Sequence, residues 1–148
     1  MNFKLHQFPV PADSVEDSAI GWAVIVTKYQ NQWMFVQHWN RETFEVPGGT
    51  REIGESVLDC AMRELYEETG SVTFKLYPLE VYSIKHPDNS LSYGQLFFAD
   101  VSEMEALQPN SEIEEVALID EHPDNLTYPS VHTALFERAA EFSQRLIQ

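Results

Sequence analysis

Gly49-Thr50-Arg51-Glu52-Ile53-Gly54-Glu55-Ser56-Val57-Leu58-Asp59-Cys60-Ala61-Met62-Arg63-Glu64-Leu65-Tyr66-Glu67-Glu68-Thr69-Gly70 is the stretch on which fold and chemistry turn. Ser56 and Asp59 form an S-x-x-D capping signature, and Gly70 stands where a left-handed helix end belongs. The spacing therefore predicts a helix over residues 57–69. Glu64, Glu67 and Glu68, at i, i+3 and i+4, share one face of it, with Leu58, Ala61, Met62 and Leu65 as the neighbouring apolar stripe. Like charges so close cost a few tenths of a kcal/mol per pair, so something positive must offset them. Arg63 can bridge to Glu67 or Asp59, but one guanidinium cannot balance three carboxylates and Glu55 besides. Hard oxygen donors in a tight cluster suit Mg²⁺ or Mn²⁺, and no Cys/His set competes for the ion.

The run upstream, Phe44-Glu45-Val46-Pro47-Gly48-Gly49, brings an extended segment into a glycine turn whose backbone can approach a metal or a phosphate closely. Gly54 permits a second bend that delivers Glu55 towards the helix start. A charged helix face and a Pro-Gly-Gly turn are each commonplace alone. Seven fixed residue types at these spacings arise by chance in about one chain in 10⁵ or fewer, which sets that reading aside.

The residues from Gly49 to Gly70 resemble the signature of the Nudix (MutT-type) hydrolases at every fixed position, and Pro47-Gly48 in front is usual for that family. Ser71 departs from the pattern, standing where the family carries an aliphatic residue, and Val72 is expected to fill that packing role. The resemblance implies a Nudix fold, a mixed β-sheet sandwiched between helices. It also implies metal-dependent hydrolysis of a nucleoside diphosphate linked to another moiety. Glu64, Glu67 and Glu68 become metal ligands, joined by the backbone carbonyl of Gly48 or Gly49. Arg63 orients the carboxylates, and Glu55 either binds metal or accepts from Arg63, the structural role being favoured. Glu64 and Glu67 belong with Arg63 in the catalytic set. The general base is Glu64 or a glutamate of a later loop, where Glu112, Glu114 and Glu115 are the candidates.

A short chain without the longer N-terminal region of the ADP-ribose-cleaving branch looks more like the nucleoside-triphosphate branch. That branch includes enzymes that clear 8-oxo-dGTP and release NMP and pyrophosphate. ADP-ribose or another nucleotide sugar is the alternative substrate. A non-catalytic nucleotide-binding or regulatory module is the alternative class, disfavoured by the intact carboxylates. Trp33, Trp39, Phe44, Tyr93 and Phe97 could stack a base, yet each is expected in the core, and His38 and His132 are expected to be structural or surface residues.

Composition agrees. Residues 1–148 are read as one α/β (α+β) domain, with residues 1–18 as a lead segment. A hydrophobic share of 43% supplies a core, while a net charge of −15 leaves no basic footprint for nucleic acid and disfavours an anionic membrane surface. Bound metal reconciles that charge with a phosphorylated small-molecule nucleotide. Cys60 is the single cysteine and reads as a small packing residue. No apolar run approaches the roughly 18 residues of a membrane span, so a cytoplasmic monomer or homodimer is expected.

Strands are predicted at Ala19 to Thr27, Trp33 to His38, Thr43 to Val46, Val72 to Ile84, Leu91 to Val101 and Glu115 to Ile119. A final helix from Ser130 to Leu146 carries Val131, Leu135, Ala139, Phe142 and Leu146 on one stripe. His-Pro-Asp-Asn occurs at 86–89 and again at 122–125, both read as turns.

Overall fold

A computed structural model describes residues 3–11 and 13–147. In chain order these form β1 (Lys4–Gln7), a 3-10 turn at Asp17–Ala19, β2 (Ile20–Tyr29), β3 (Gln32–His38), β4 (Gly48–Thr50) and α1 (Val57–Thr69). Then follow β5 (Ser71–Lys85), β6 (Leu91–Met104), β7 (Ile113–Ile119) and α2 (Pro129–Leu146). One sheet runs β1-β5-β6-β2-β3-β7, and β4 also pairs with β2. β2 and β6 are parallel while the other pairs are antiparallel, so the sheet is mixed.

The unbroken apolar run of β2 follows from burial on both faces. Ala23 and Ile25 pack with Met34, Phe97 and the Val57, Cys60, Ala61 and Leu65 side of α1. Val24 and Val26 alternate to the other face, against Phe35, Leu96, Phe98 and the Val131, Leu135 and Ala139 side of α2. Each such fully buried aliphatic or aromatic side chain contributes about 1.5–3 kcal/mol relative to exposure. Arg138 of α2 adds a forked pair to Glu80 of β5, at 2.7 and 2.8 Å. On α2 the predicted stripe holds through Ala139, Phe142 packs on Tyr77 and Phe98, and Leu146 at the frayed end is 46% exposed.

Helix α1 has the predicted bounds. Ser56 Oγ accepts from Asp59 N–H at 3.0 Å, and Gly70 is left-handed at φ 75°. Its apolar stripe is not the predicted one, because Leu58 and Met62 are 44% and 38% exposed. The buried row is Val57, Cys60, Ala61, Leu65 and Glu68. At about 100° per residue, Glu64 and Glu68 fall in the middle of that row. The helix thus turns its carboxylates towards the sheet instead of beside it.

Three further expectations are corrected. Gly48–Thr50 forms a strand on Trp22–Val24, not a turn. A Cβ on Gly48 would lie 2.4 Å from the Ala23 carbonyl oxygen, so the glycine serves close backbone approach. Thr43 to Val46 makes only isolated bridges, from Phe44 to Leu126 and Glu45 to Val36. Val72 does not fill the aliphatic position after Gly70, since it is 43% exposed. Ser71 itself is buried there, its hydroxyl 2.6 Å from Thr69 Oγ1, which removes the cost of burying a polar group. The lead segment adds β1, paired with β5. The 86–89 turn closes through Asn89 N–H to the His86 carbonyl.

Candidate active site

The signature loop meets α1 where the strand glycines face the helix glutamates. Gly48 N–H donates to Glu68 Oε1 at 2.9 Å. A Cβ on Gly49 would lie 2.2 Å from Glu64 Cδ, so the Glu64 carboxylate occupies the space a side chain would need. The Gly49 carbonyl accepts from the buried Cys60 thiol at 3.5 Å. Burial pushes that thiol up to about 11, so Cys60 is a packing residue and no nucleophile.

Arg63 gathers the charged side chains along one edge. Its Nε donates to Glu55 Oε2 at 2.7 Å and its Nη2 to Glu55 Oε1 at 3.0 Å. Nη1 reaches Glu64 at 2.8 Å and Glu67 at 3.2 Å, and Nη2 also donates to the Thr50 carbonyl at 3.0 Å. Asp59 is not among these partners. The fork from Arg63 brings the Glu55 carboxyl down to about 2. Glu64 moves the other way, its carboxyl raised by burial more than Arg63 lowers it. Arg51 braces the loop from behind through Asp17 at 2.6 Å.

A second group of charges meets across the cleft. His38, at the end of β3, has Nε2 3.5 Å from Glu68 Oε2 and 3.6 Å from Glu45 Oε1. Arg41 pairs with the other oxygen of Glu45. Glu68 is 5% exposed, and burial pushes its carboxyl up to about 9, against the Gly48 hydrogen bond that lowers it. Glu112 comes in from the loop before β7. That loop is tied down: Ser111 donates to the Glu67 carbonyl at 3.3 Å, Gln108 to Tyr66 Oη at 2.7 Å, and Trp39 N–H to the Glu112 carbonyl at 3.1 Å. Glu112 therefore reaches the cleft without a swing of the loop.

Together these residues line a cleft of about 1000 Å³. Of the glycines and acids singled out in the sequence, Gly48, Gly49, Glu64, Glu67, Glu68 and Glu112 face it with Arg63. Glu55 accepts from Arg63 and does not line the cleft. Glu114 and Glu115 are exposed on β7 and do not line it. His38, Arg41, Glu45 and Tyr128 line it as well. No motif marks these four; the register of β3 on β7, which pairs His38 with Ile113, brings His38 beside the Glu112 loop.

A smaller cavity of about 260 Å³ adjoins the cleft, and Glu45, Gly48, Gly49, Thr50 and Tyr128 border both. Its own walls are Phe3, Trp22, Tyr82, Ile84, Val131 and His132. Trp22 Nε1–H donates to Tyr82 Oη at 2.7 Å, and the Trp22 ring lies where a Cβ on Gly94 would be. His132 accepts from Val46 N–H on Nδ1 at 3.2 Å, and burial lowers the imidazole to about 4. The ring is neutral, with its proton on Nε2 as a donor. None of the five aromatic candidates borders either cavity: Trp33 packs on Phe98 and Phe136 and Phe97 lies in the α1-side core as expected, whereas Trp39, also expected in the core, is 56% exposed.

The donor set fits a divalent cation. One ligand atom each from His38, Glu68 and Glu112 falls within 4.8 Å of the others, and a buried carboxylate such as Glu68 ionises at neutral pH when a cation lies against it. Among the described residues no helix is long and apolar enough to cross a membrane.

Comparison with known proteins agrees with this geometry. A Bacillus subtilis (strain 168) protein named "Putative 8-oxo-dGTP diphosphatase YtkD" is 28% identical over 103 residues, 70% of this chain and 64% of that protein. The chain thus spans somewhat under two thirds of that relative's length. The crystal structure of the Bacillus subtilis pyrophosphohydrolase BsRppH superposes with a TM-score of 0.76 at 21% identity, over 94% of this chain and 90% of that one. A NUDIX hydrolase structure from Listeria monocytogenes gives 0.67 at 18% identity, over 84% and 95%. The family model of the NUDIX domain matches residues 17–143, and the chain belongs to that family.

Proposed function

We propose that the protein is a metal-dependent pyrophosphohydrolase of nucleoside triphosphates, with oxidised purine nucleotides such as 8-oxo-dGTP in its substrate range. The reaction is NTP plus water to NMP and pyrophosphate, cleaving one phosphoric anhydride. One observation carries the reading: a carboxylate cleft with room for a polyphosphate shares a border with an aromatic recess with room for a base. At about 260 Å³ the recess is smaller than the roughly 300–1000 Å³ of sites that enclose drug-sized ligands, which favours a single nucleoside over a dinucleotide. The name of the 28% identical relative points to the same substrate class.

Bound Mg²⁺ or Mn²⁺ would neutralise the phosphoryl oxygens and acidify the attacking water. Glu67 and Glu68 would hold the metal, and Glu64, which faces the same cleft, would join them or serve as the base. Arg63 fixes Glu64 and Glu67 relative to Glu55, so the carboxylates are oriented before substrate arrives. Glu64 and Glu112 face the cleft and are the candidates to take the proton from water. In the recess, Trp22 and Tyr128 offer ring faces and His132 a neutral donor. The lone thiol suits a cytoplasmic protein acting on free nucleotides.

The test is a kinetic panel of common NTPs, 8-oxo-dGTP, ADP-ribose and dinucleoside polyphosphates with Mg²⁺ and with Mn²⁺. A nucleoside triphosphate should show the highest kcat/KM. Highest kcat/KM on ADP-ribose would move the substrate to the nucleotide sugars. Absence of turnover on all of them, with nucleotide still bound, would make the protein a binding module.

A further inference from the structure

We infer that His38 is a nitrogen ligand of a bound divalent cation, completing with Glu68 and Glu112 a cation position in the cleft with a stronger leaning to Mn²⁺ over Mg²⁺ than an all-oxygen set would give. This rests on the metal-binding half of the proposed function and not on its choice of substrate.

Three elements converge on the position: the end of β3, the last turn of α1 and the loop before β7. The ladder between β3 and β7 shifts register at Gln37/His38, so the regular pairing ends at the residue that turns to the cleft. The Trp39 N–H to Glu112 carbonyl bond at 3.1 Å then pins the two chains beside each other. Glu68 is oriented from the opposite side. Its Oε1 is taken by Gly48 N–H, while Oε2 accepts no hydrogen bond from any described residue and lies 3.5 Å from His38 Nε2. Donor atoms about 2.1 Å from one cation are about 3 Å apart when adjacent and about 4.2 Å apart when opposite. A pair at 3.5 Å and a set within 4.8 Å reach that geometry by closing about half an ångström.

The chemistry of the donors sets the preference. Mg²⁺ takes oxygen almost exclusively, whereas an imidazole suits the transition metals, Mn²⁺ accepting it more readily than Mg²⁺. The remaining helix carboxylates are already served by a cation, since Arg63 reaches Glu55, Glu64 and Glu67 but not Glu68. Among the described residues no Arg or Lys pairs with Glu68, and the His38 imidazole lies beside it, so a bound cation has its place on this side of the cleft. A ligand role for Glu112 leaves Glu64 to take the proton from water.

Electron spin-echo envelope modulation on the nucleotide-free protein loaded with Mn²⁺ tests this. Wild type should show nitrogen modulation that changes from the ¹⁴N to the ¹⁵N pattern when only histidine is ¹⁵N-labelled. His38→Gln should abolish it and raise the Kd for Mn²⁺ at least about tenfold, the lower end of what loss of supporting groups costs metal sites. Mg²⁺ affinity should fall less, and Glu112→Gln should weaken Mn²⁺ binding while keeping the nitrogen signal. His122→Gln, outside the cleft, should leave both unchanged. Wild-type protein without nitrogen modulation, or a signal surviving intact in His38→Gln, overturns the assignment. The labelled wild-type spectrum decides even if the His38 variant does not fold. Because no nucleotide is present, the outcome is independent of whether nucleoside triphosphates are the substrate.

Discussion

Gly49 and Gly48 are adjacent, yet the space each keeps empty has a different use. A methyl on Gly49 meets the far end of the Glu64 side chain, which can swing aside, whereas a methyl on Gly48 meets the Ala23 backbone, which cannot. Gly49→Ala should therefore keep its melting temperature within a few degrees and lose at least about tenfold in kcat, by displacing a carboxylate from its working position. Gly48→Ala should lower stability by about 1–3 kcal/mol as an overpacked site does, read as a shift in the urea midpoint. Glu67→Gln and Glu68→Gln keep shape and remove charge. Each should fold and lose about 100-fold or more in turnover, as when one main electrostatic contributor is removed. Near-native turnover in both would remove them from the mechanism. At this scale the sequence is most legible where spacing encodes geometry, as in the Glu64, Glu67 and Glu68 ladder. His38 and Glu45 were not legible, because a lone histidine and a lone glutamate acquire meaning only from the strand register that brings them together.

Elements are legible by period but not by facing. The helix bounds at Ser56 and Gly70 follow from local capping chemistry, and the structure has them unchanged. Which side of α1 is buried depends on what lies opposite. Glu68 is bonded to β4 and Glu64 lies against Gly49, so the helix is rotated and Leu58 and Met62 are left exposed. β4 was invisible because Pro-Gly-Gly is ordinary turn chemistry, and nothing local says that β2 will offer it an edge. Helix α2 carries its own test through His132, neutral and buried against Val46. Its pKa falls from about 6.5 unfolded to about 4 folded, so its contribution is fully present above pH 6.5 and is lost as pH falls through 4. Between pH 7 and pH 4 wild type should lose on the order of 3 kcal/mol more than His132→Gln, measured by urea unfolding at each pH. Parallel pH profiles for the two proteins would show that His132 is not held neutral.

For the whole molecule, the net charge of −15 and the crowded cleft make a bound cation a source of stability as well as of chemistry. Binding to the folded state alone should add about 2.7 kcal/mol at a hundredfold excess over Kd, visible as a higher melting temperature in Mn²⁺ or Mg²⁺ than in EDTA. The two cavities share a border formed by β4, Glu45 and Tyr128, so the proposed nucleoside triphosphate would lie across that border, its phosphates towards α1 and its base towards α2. Gly94→Ala, which pushes on the Trp22 ring, should raise KM for the nucleotide more than it lowers kcat. The most direct measurement is ion-exchange analysis of the products formed from 8-oxo-dGTP and from the common NTPs in Mg²⁺, with an EDTA control. NMP and pyrophosphate should appear in equal amounts, abolished by EDTA and restored by excess Mg²⁺. Release of NDP and phosphate, or equal turnover in the metal-stripped protein, would rule out a metal-dependent pyrophosphohydrolase.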